Sequence, residues 1–251
     1  MIRFHADLDN TILYSYKHEI GETKNCVEVY QGRQISYMTH ETARLLSGLK
    51  EKMSIVPTTT RTVEQYKRLD LSVISPKYAL VCNGGALLVD GEEDMDWYKE
   101  SLALISDSRE MLKYGEWLLG QDENRCFEVR NIKGLFIFTK SEKPFTSVMR
   151  LKERLDESLT DIFSNGSKVY IVPKRLNKGM AVSRFQKRYP SDLVIAAGDS
   201  EFDIPMLNEA RLAVAPCALK GGKGIKGHIT YMRGKKLFSE EGLEYITNII
   251  R

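Results

Sequence analysis

The run Leu193-Val194-Ile195-Ala196-Ala197 contains no polar side chain and stops at Gly198-Asp199. A strand with one wet face alternates apolar and polar residues, so an unbroken apolar run reads as a strand buried on both faces, as in a parallel sheet covered by helices. Further strand-like runs at 2–6, 53–57, 78–82 and 212–214 alternate with helical patterns at 41–52, 63–69, 179–189 and 240–250. That rhythm predicts βαβ units and an α/β fold with a mainly parallel sheet. Right-handed crossovers bring all strand C-terminal ends to one edge, where such sheets bind ligands. The first strand fits least well, because Arg3 and His5 interrupt it.

Three of these strand ends, and a fourth segment after the strand-like run 169–173, carry residues able to do chemistry. Asp7-Leu8-Asp9-Asn10-Thr11 follows the first run and offers a carboxylate nucleophile and a carboxyl acid/base in one loop. The second apolar run ends in Thr58-Thr59-Thr60-Arg61, so a hydroxyl can donate to a phosphoryl oxygen. In Arg175-Leu176-Asn177-Lys178-Gly179-Met180, Lys178 falls in the first turn of a helix. A cation there is unfavourable by about 0.3–1 kcal/mol and calls for a compensating anion. In Gly198-Asp199-Ser200-Glu201-Phe202-Asp203, the glycine admits close backbone approach and the carboxylates at i and i+4 suit Mg2+. Taken singly, each segment also reads as a turn, a solvated strand end or a lysine in water.

In this order, the four segments resemble the signature motifs of the haloacid dehalogenase (HAD) superfamily of phosphohydrolases, most closely the capped branch of sucrose-phosphatase-like and Cof-type sugar phosphatases. The resemblance implies a Rossmann-like parallel-sheet core formed by residues 1–87 and 169–251, with an inserted α+β cap at 88–168 that sets substrate specificity. It implies Asp7 as nucleophile, Asp9 as acid/base, and Lys178 and Thr59 as phosphoryl-binding groups, with Thr58 or Thr60 as alternatives for the hydroxyl. Mg2+ would be held by Asp7, the backbone carbonyl of Asp9, and Asp199, with Asp203 completing the acidic set and orienting it. Asn10, Thr11, Thr60, Arg61, Asn177 and Ser200 are the candidate substrate contacts. The chain departs from the family where Asn10 and Thr60 replace its usual glycines. The expected activity is hydrolysis of a small phosphorylated metabolite, a sugar phosphate. The alternatives are a phosphomutase and a non-catalytic domain that binds a phosphorylated ligand.

Within 88–168 the α/β rhythm breaks. Helical patterns at 106–119 and 145–159 flank strand-like segments at 126–130 and 134–140, and a segment at 168–172 is expected to return the chain to the core. Asn83-Gly84-Gly85 and Pro173 are expected near the hinges. Arg125, Arg130, Lys133 and Lys140 are further candidate contacts. Segments 25–30 and 33–38 around Gln31-Gly32 predict a hairpin flap. The glycine- and lysine-rich stretch 218–227 lacks P-loop spacing and reads as a loop.

Composition narrows the function further. Lys plus Arg total 37 against 34 Asp plus Glu, a formal +3 that is too slight to argue for nucleic acid or an anionic membrane. No apolar stretch approaches a membrane span and no signal-peptide pattern precedes Asp7, so a cytoplasmic protein is expected. Cys26, Cys82, Cys126 and Cys217 are dispersed, without the spacing of a zinc site or disulfide framework. No feature names a protein partner.

Overall fold

Four of the five strand-like runs pair in one parallel sheet; the run at 78–82 joins a small antiparallel sheet instead, and Ile229–Met232 supplies the fifth parallel strand. In the computed structural model, which describes residues 1–226 and 228–250, the parallel strands are β1 (Ile2–Ala6), β2 (Ser54–Pro57), β3 (Leu193–Ala197), β4 (Leu212–Pro216) and β5 (Ile229–Met232). Their spatial order is β5-β4-β3-β1-β2, and every neighbouring pair is parallel. β1 has β3 on one side, with Phe4 opposite Ile195, and β2 on the other, with Phe4 opposite Ile55. The chain therefore leaves the middle of the sheet in both directions, which makes the C-terminal end of β1 a topological switch point.

β1 is central despite its polar residues. Arg3 and His5 are both buried. The Arg3 guanidinium donates to the Tyr189 carbonyl and lies 4.9 Å over the Phe185 ring. His5 Nδ1 lies 3.0 Å from Thr58 Oγ1, whose hydroxyl donates to the Val56 carbonyl at 3.1 Å. The imidazole nitrogen must therefore be the donor, which fixes the Nδ1–H tautomer. Nε2 is buried and has no hydrogen-bond partner among the described residues. Burial, with Arg3 nearby, pushes the His5 pKa down to about 3.

Helices α1 (His40–Lys50), α2 (Val63–Lys67), α3 (Lys178–Arg188), α4 (Ile204–Glu209) and α5 (Phe238–Ile249) belong to the same unit. α1 starts where Thr39 accepts from the Thr42 amide, and α2 where Thr62 and Gln65 form a capping box. α3 and α4 touch at Gly179, where a Cβ would sit 2.4 Å from the Pro205 carbonyl oxygen. Only glycine permits that approach.

Two small antiparallel sheets complete this unit. Lys24–Tyr30 and Arg33–Thr39 form the expected hairpin, with Tyr14–Ser15 on its edge. Gln31 and Gly32 both have positive φ, as a two-residue turn between right-twisted strands requires. Tyr78–Val81, Ala86–Val89 and Glu92–Glu93 form the other. The strand at Tyr78–Val81 touches the parallel sheet through a bridge between Thr58 and Leu80.

The second unit, Met95–Asn177, is an α+β layer. Its antiparallel sheet runs Thr160–Asn165, Lys168–Pro173, Phe136–Lys140, Arg130–Ile132, with helices Met95–Leu104, Arg109–Gly120 and Pro144–Lys152. The units divide at 94/95 and 177/178, against the expected 88 and 168. Residues 88–94 stay with the first unit because Glu92–Glu93 pairs with Leu88 and Val89. Lys168–Pro173 does not return the chain to the core, since it pairs on both sides within the second unit's sheet. Cys82, Asn83 and Gly84 are a buried turn of three positive-φ residues rather than a hinge, and the amides of Cys82 and Asn83 donate to the carbonyls of Arg61 and Thr59. Pro173 ends a strand of the second unit. Gly227, the last residue of the 218–227 stretch, lies outside the described residues.

Candidate active site

Three adjacent parallel strands deliver their ends to one place. One residue past β1, the Asp7 amide donates to the Ala197 carbonyl at 2.9 Å; one past β2, the Thr58 amide donates to Ala6 at 2.8 Å; one past β3, the Gly198 amide donates to Val214 at 3.3 Å. The ladders hold Asp7, the threonines and Asp199 in register before any side chain contributes. After Asp7 the chain turns tightly, with the amides of Ile12 and Leu13 both donating to the Leu8 carbonyl. Asn10 takes a φ of 59°, a value glycine adopts freely and asparagine tolerates.

Lys178, the first residue of α3, is 1% exposed. Its Nζ lies 2.5 Å from Asp7 Oδ1 and 2.6 Å from Asp203 Oδ1. The unfavourable dipole position is thus offset by two carboxylates. Burial opposes its charge, but Asp203 and Asp7 more than compensate and raise its pKa. Asp203 Oδ2 accepts from the Asp199 amide at 3.1 Å, the Ser200 amide at 2.9 Å and the Ser200 hydroxyl at 2.8 Å. Gly198 leaves room for this turn, since a Cβ there would sit 2.3 Å from Asp203 Cβ.

Asp7, Asp199 and Asp203 each offer an oxygen within 4.8 Å of the others. One ammonium faces three carboxylates, and the imbalance shows in their acidity. Burial drives the Asp7 pKa well above the ordinary carboxylate range; Lys178 opposes this, while Asp203, Asp199 and Asp9 add to it. Burial and then Asp203 raise Asp199 to about 6. Such a cluster fits a hard divalent cation, which would neutralise the excess charge. Asp203 has both oxygens engaged, which leaves Asp7 and Asp199 with the freer carboxylates; Asp199 Oδ1 accepts from Thr11 at 3.1 Å.

The threonines differ in what they can offer. Thr58 spends its proton on Val56, whereas Thr59 Oγ1 accepts from the Arg61 amide at 3.2 Å and retains a proton to donate. Thr60 is half-buried. Asp9 is held by Arg61, whose Nε and Nη2 reach its two oxygens at 2.8 and 2.7 Å. Arg61 Nη1 donates to Glu28 at 2.8 Å. Ser200 is committed to Asp203, and the Asn177 amide donates to the Lys174 carbonyl at 2.9 Å within the second unit. Also in that unit, Arg125 donates to the Phe127 carbonyl, Arg130 bonds Glu128, and Lys133 and Lys140 lie over Tyr98 and Phe127.

Sequence reasoning missed Glu28. Alternation puts Val27 and Glu28 on opposite faces, but a bulge in the hairpin register buries both. The surviving signal was the pair of cations at Arg61 and Arg68.

A carboxylate cluster bridged by lysine at the switch point of a parallel sheet defines a carboxylate-centred α/β enzyme. Residues 92–216 match the family model of haloacid dehalogenase-like hydrolases, and the chain is a hydrolase of that family. Its fold is similar to the sucrose-phosphatase of Synechocystis sp. PCC6803, solved with sucrose and phosphate, at 18% identity and a TM-score of 0.67 over 98% of this chain and 97% of that one. It is also similar to trehalose-6-phosphate phosphatase of Aspergillus fumigatus (12%, TM-score 0.51, 99% and 92% covered) and to IMP-nucleotidase of Plasmodium falciparum (14%, TM-score 0.56, 79% and 59%). No curated protein matches the sequence significantly. The described residues include no helix long and apolar enough to cross a membrane.

Proposed function

We propose that the chain is a Mg2+-dependent phosphatase that cleaves a small phosphorylated metabolite, a sugar phosphate, through an aspartyl-phosphate intermediate. The observation that carries this reading is the Lys178 bridge between Asp7 and Asp203, with Asp199 beside it at the ends of adjacent strands. Lys178 holds Asp7 by Oδ1, so Oδ2 is the oxygen that attacks phosphorus in line. The ester P–O bond breaks, and Asp9 gives its proton to the leaving alcohol. Water then attacks phosphorus, Asp9 takes the water's proton, and the bond to Asp7 breaks. Thr59 donates its hydroxyl to a phosphoryl oxygen, and Lys178 balances the charge. Asp203 holds Lys178 and the 198–200 turn in place. Mg2+, held by Asp7, Asp199 and the Asp9 carbonyl, supplies the remaining compensation when bound.

The unit Met95–Asn177 is the substrate-selecting cap in this reading. One face of its sheet carries Phe163, Tyr170 and Phe138 directly opposite one another, with ring centroids 5.3 and 5.7 Å apart, and Arg130 next in register. Aromatic faces beside a cation suit a molecule with apolar C–H faces and anionic or hydroxyl edges. The similar folds act on two sugar phosphates and a nucleotide, so fold alone does not fix the substrate. Phosphate release across a panel of sugar phosphates and nucleotides, with Mg2+ and with chelator, tests the proposal. Primer-dependent isomerisation with little phosphate release would replace hydrolase by mutase.

A further inference from the structure

Glu28 is a carboxylate with 1% of its side chain exposed, set at the hairpin bulge outside the parallel sheet. Its Oε2 accepts from Ser36 Oγ at 2.6 Å and Arg61 Nη1 at 2.8 Å, and its Oε1 faces Arg68 Nε at 3.1 Å as an ion pair. The hairpin is fastened there by backbone contacts as well: Glu28 bridges Leu69, and the Asp70 amide donates to the Val27 carbonyl at 2.8 Å. The Arg68 guanidinium lies over the Tyr30 ring, 4.3 Å from its centroid.

The other edge of Arg61 forks onto Asp9. A guanidinium is planar, so fixing Nη1 on Glu28 fixes the direction in which Nε and Nη2 point. Asp9 needs that support because its side chain is 49% exposed, whereas that of Arg61 is 12% exposed. Without the fork, solvent would leave its carboxylate free to turn.

We infer that Glu28 is a positioning residue for Asp9, acting through Arg61, so that seating of the hairpin aligns the acid/base. During turnover one Asp9 oxygen stays on Arg61 while the other meets the leaving-group oxygen. The inference rests on the proposed role of Asp9. Its particular content is that an element outside the parallel sheet sets the geometry of proton transfer. Ser36 and Arg68 keep Glu28 in place from the opposite side.

Leaving-group dependence separates positioning from folding. Expulsion of p-nitrophenolate needs little proton assistance, whereas expulsion of an alkoxide depends on it. Wild type, Glu28→Gln, Arg61→Lys and Asp9→Asn are compared with Mg2+ on an alkyl phosphate in single turnover and on the pre-steady-state burst from p-nitrophenyl phosphate. Glu28→Gln is expected to slow alkyl phosphate cleavage on the order of 10- to 100-fold, a fraction of the roughly 10²–10⁴-fold typical of acid–base assistance, with KM changed less than about threefold. Its p-nitrophenolate burst is expected to match wild type. Arg61→Lys keeps the charge but loses the fork, and is expected to show the same bias against the alkyl ester. It tests the link from the other end if Glu28→Gln fails to fold. Equal losses on both esters, or none on either, would overturn the inference while an Asp9→Asn bias left the acid/base intact. Absence of any bias in Asp9→Asn would remove the acid/base reading and this inference with it.

Discussion

Lys178 Nζ lies 2.5 Å from Asp7 Oδ1, although the two residues are 171 positions apart. The ammonium is shared, since Asp203 takes a second hydrogen bond from the same nitrogen. Breaking a buried pair by removing one partner typically costs about 3–5 kcal/mol, because the other charge is left uncompensated. Lys178→Met is therefore expected to lower unfolding free energy by an amount of that order at neutral pH. The loss should shrink in acid, where Asp7, its pKa raised by burial, is protonated. Urea denaturation at pH 7.5 and pH 4.5 measures both; an equal loss at the two values would contradict the charge argument.

Asp7→Asn is nearly isosteric and keeps an oxygen for Lys178. Phosphate release should fall by several orders of magnitude, because an amide does not form the acyl phosphate. The thermal midpoint should move by only a few degrees. A phosphate assay paired with a melting curve decides the point, and unchanged turnover would sink the nucleophile assignment.

Metal binding should be visible without catalysis. Asp199 has an ordinary pKa of 3.8 and is raised to about 6 in the fold, so the native state holds the proton more tightly than the unfolded chain. Its contribution to stability therefore declines as pH rises through that window. Mg2+ binds the ionised form, so the rise in Tm on adding it should grow from pH 4 to pH 7. It should largely vanish in Asp199→Ala. A Tm increment independent of pH would argue against carboxylate ligation.

His5 should give the opposite slope. Its pKa falls from 6.5 unfolded to about 3 folded, so the unfolded chain binds an extra proton between those values. Stability should drop as pH falls through this window, by about 1.4 kcal/mol per pH unit for one proton. His5→Gln keeps a donor for Thr58 and removes the titration. The difference between the two stability profiles isolates the imidazole, and parallel profiles would show that it titrates normally.

The second unit's aromatic row gives a prediction about selectivity. Tyr170→Ala should raise KM for the preferred sugar phosphate severalfold while leaving p-nitrophenyl phosphate hydrolysis within about twofold, as removal of uniform binding does. Equal effects on both substrates would count against a cap that reads the sugar.

Much of the parallel sheet was legible because β2, β3 and β4 are apolar runs, whereas β5 is interrupted by Thr230 and Tyr231 and the apolar run at 78–82 pairs in an antiparallel sheet; Lys178 was legible because a cation at a helix start is out of place alone. The boundary of the second unit was not. Glu92–Glu93 is a two-residue strand with no apolar pattern, and Lys168–Pro173 looks the same whether its neighbours come from one unit or the other. His5 and Arg3 looked wrong for a buried strand because their partners, Thr58 and Tyr189, come from elsewhere in the chain. Glu28 was hidden by a bulge, which changes a residue's face without changing its composition.

The first unit is discontinuous, built from Met1–Asp94 and Lys178 onward. During synthesis, Asp7 emerges early and its ammonium only after the whole of Met95–Asn177. Loop-closure entropy grows slowly with length, by about 0.6 kcal/mol per doubling, so the separation itself is affordable to the folded state. It bears on order instead: local contacts within Met95–Asn177 can form before the two halves of the sheet meet. The nascent N-terminal half thus carries the Asp7 carboxylate with no counter-charge and a sheet edge where β3 belongs. Assembly of the lysine-bridged carboxylate cluster and completion of the core are the same late event.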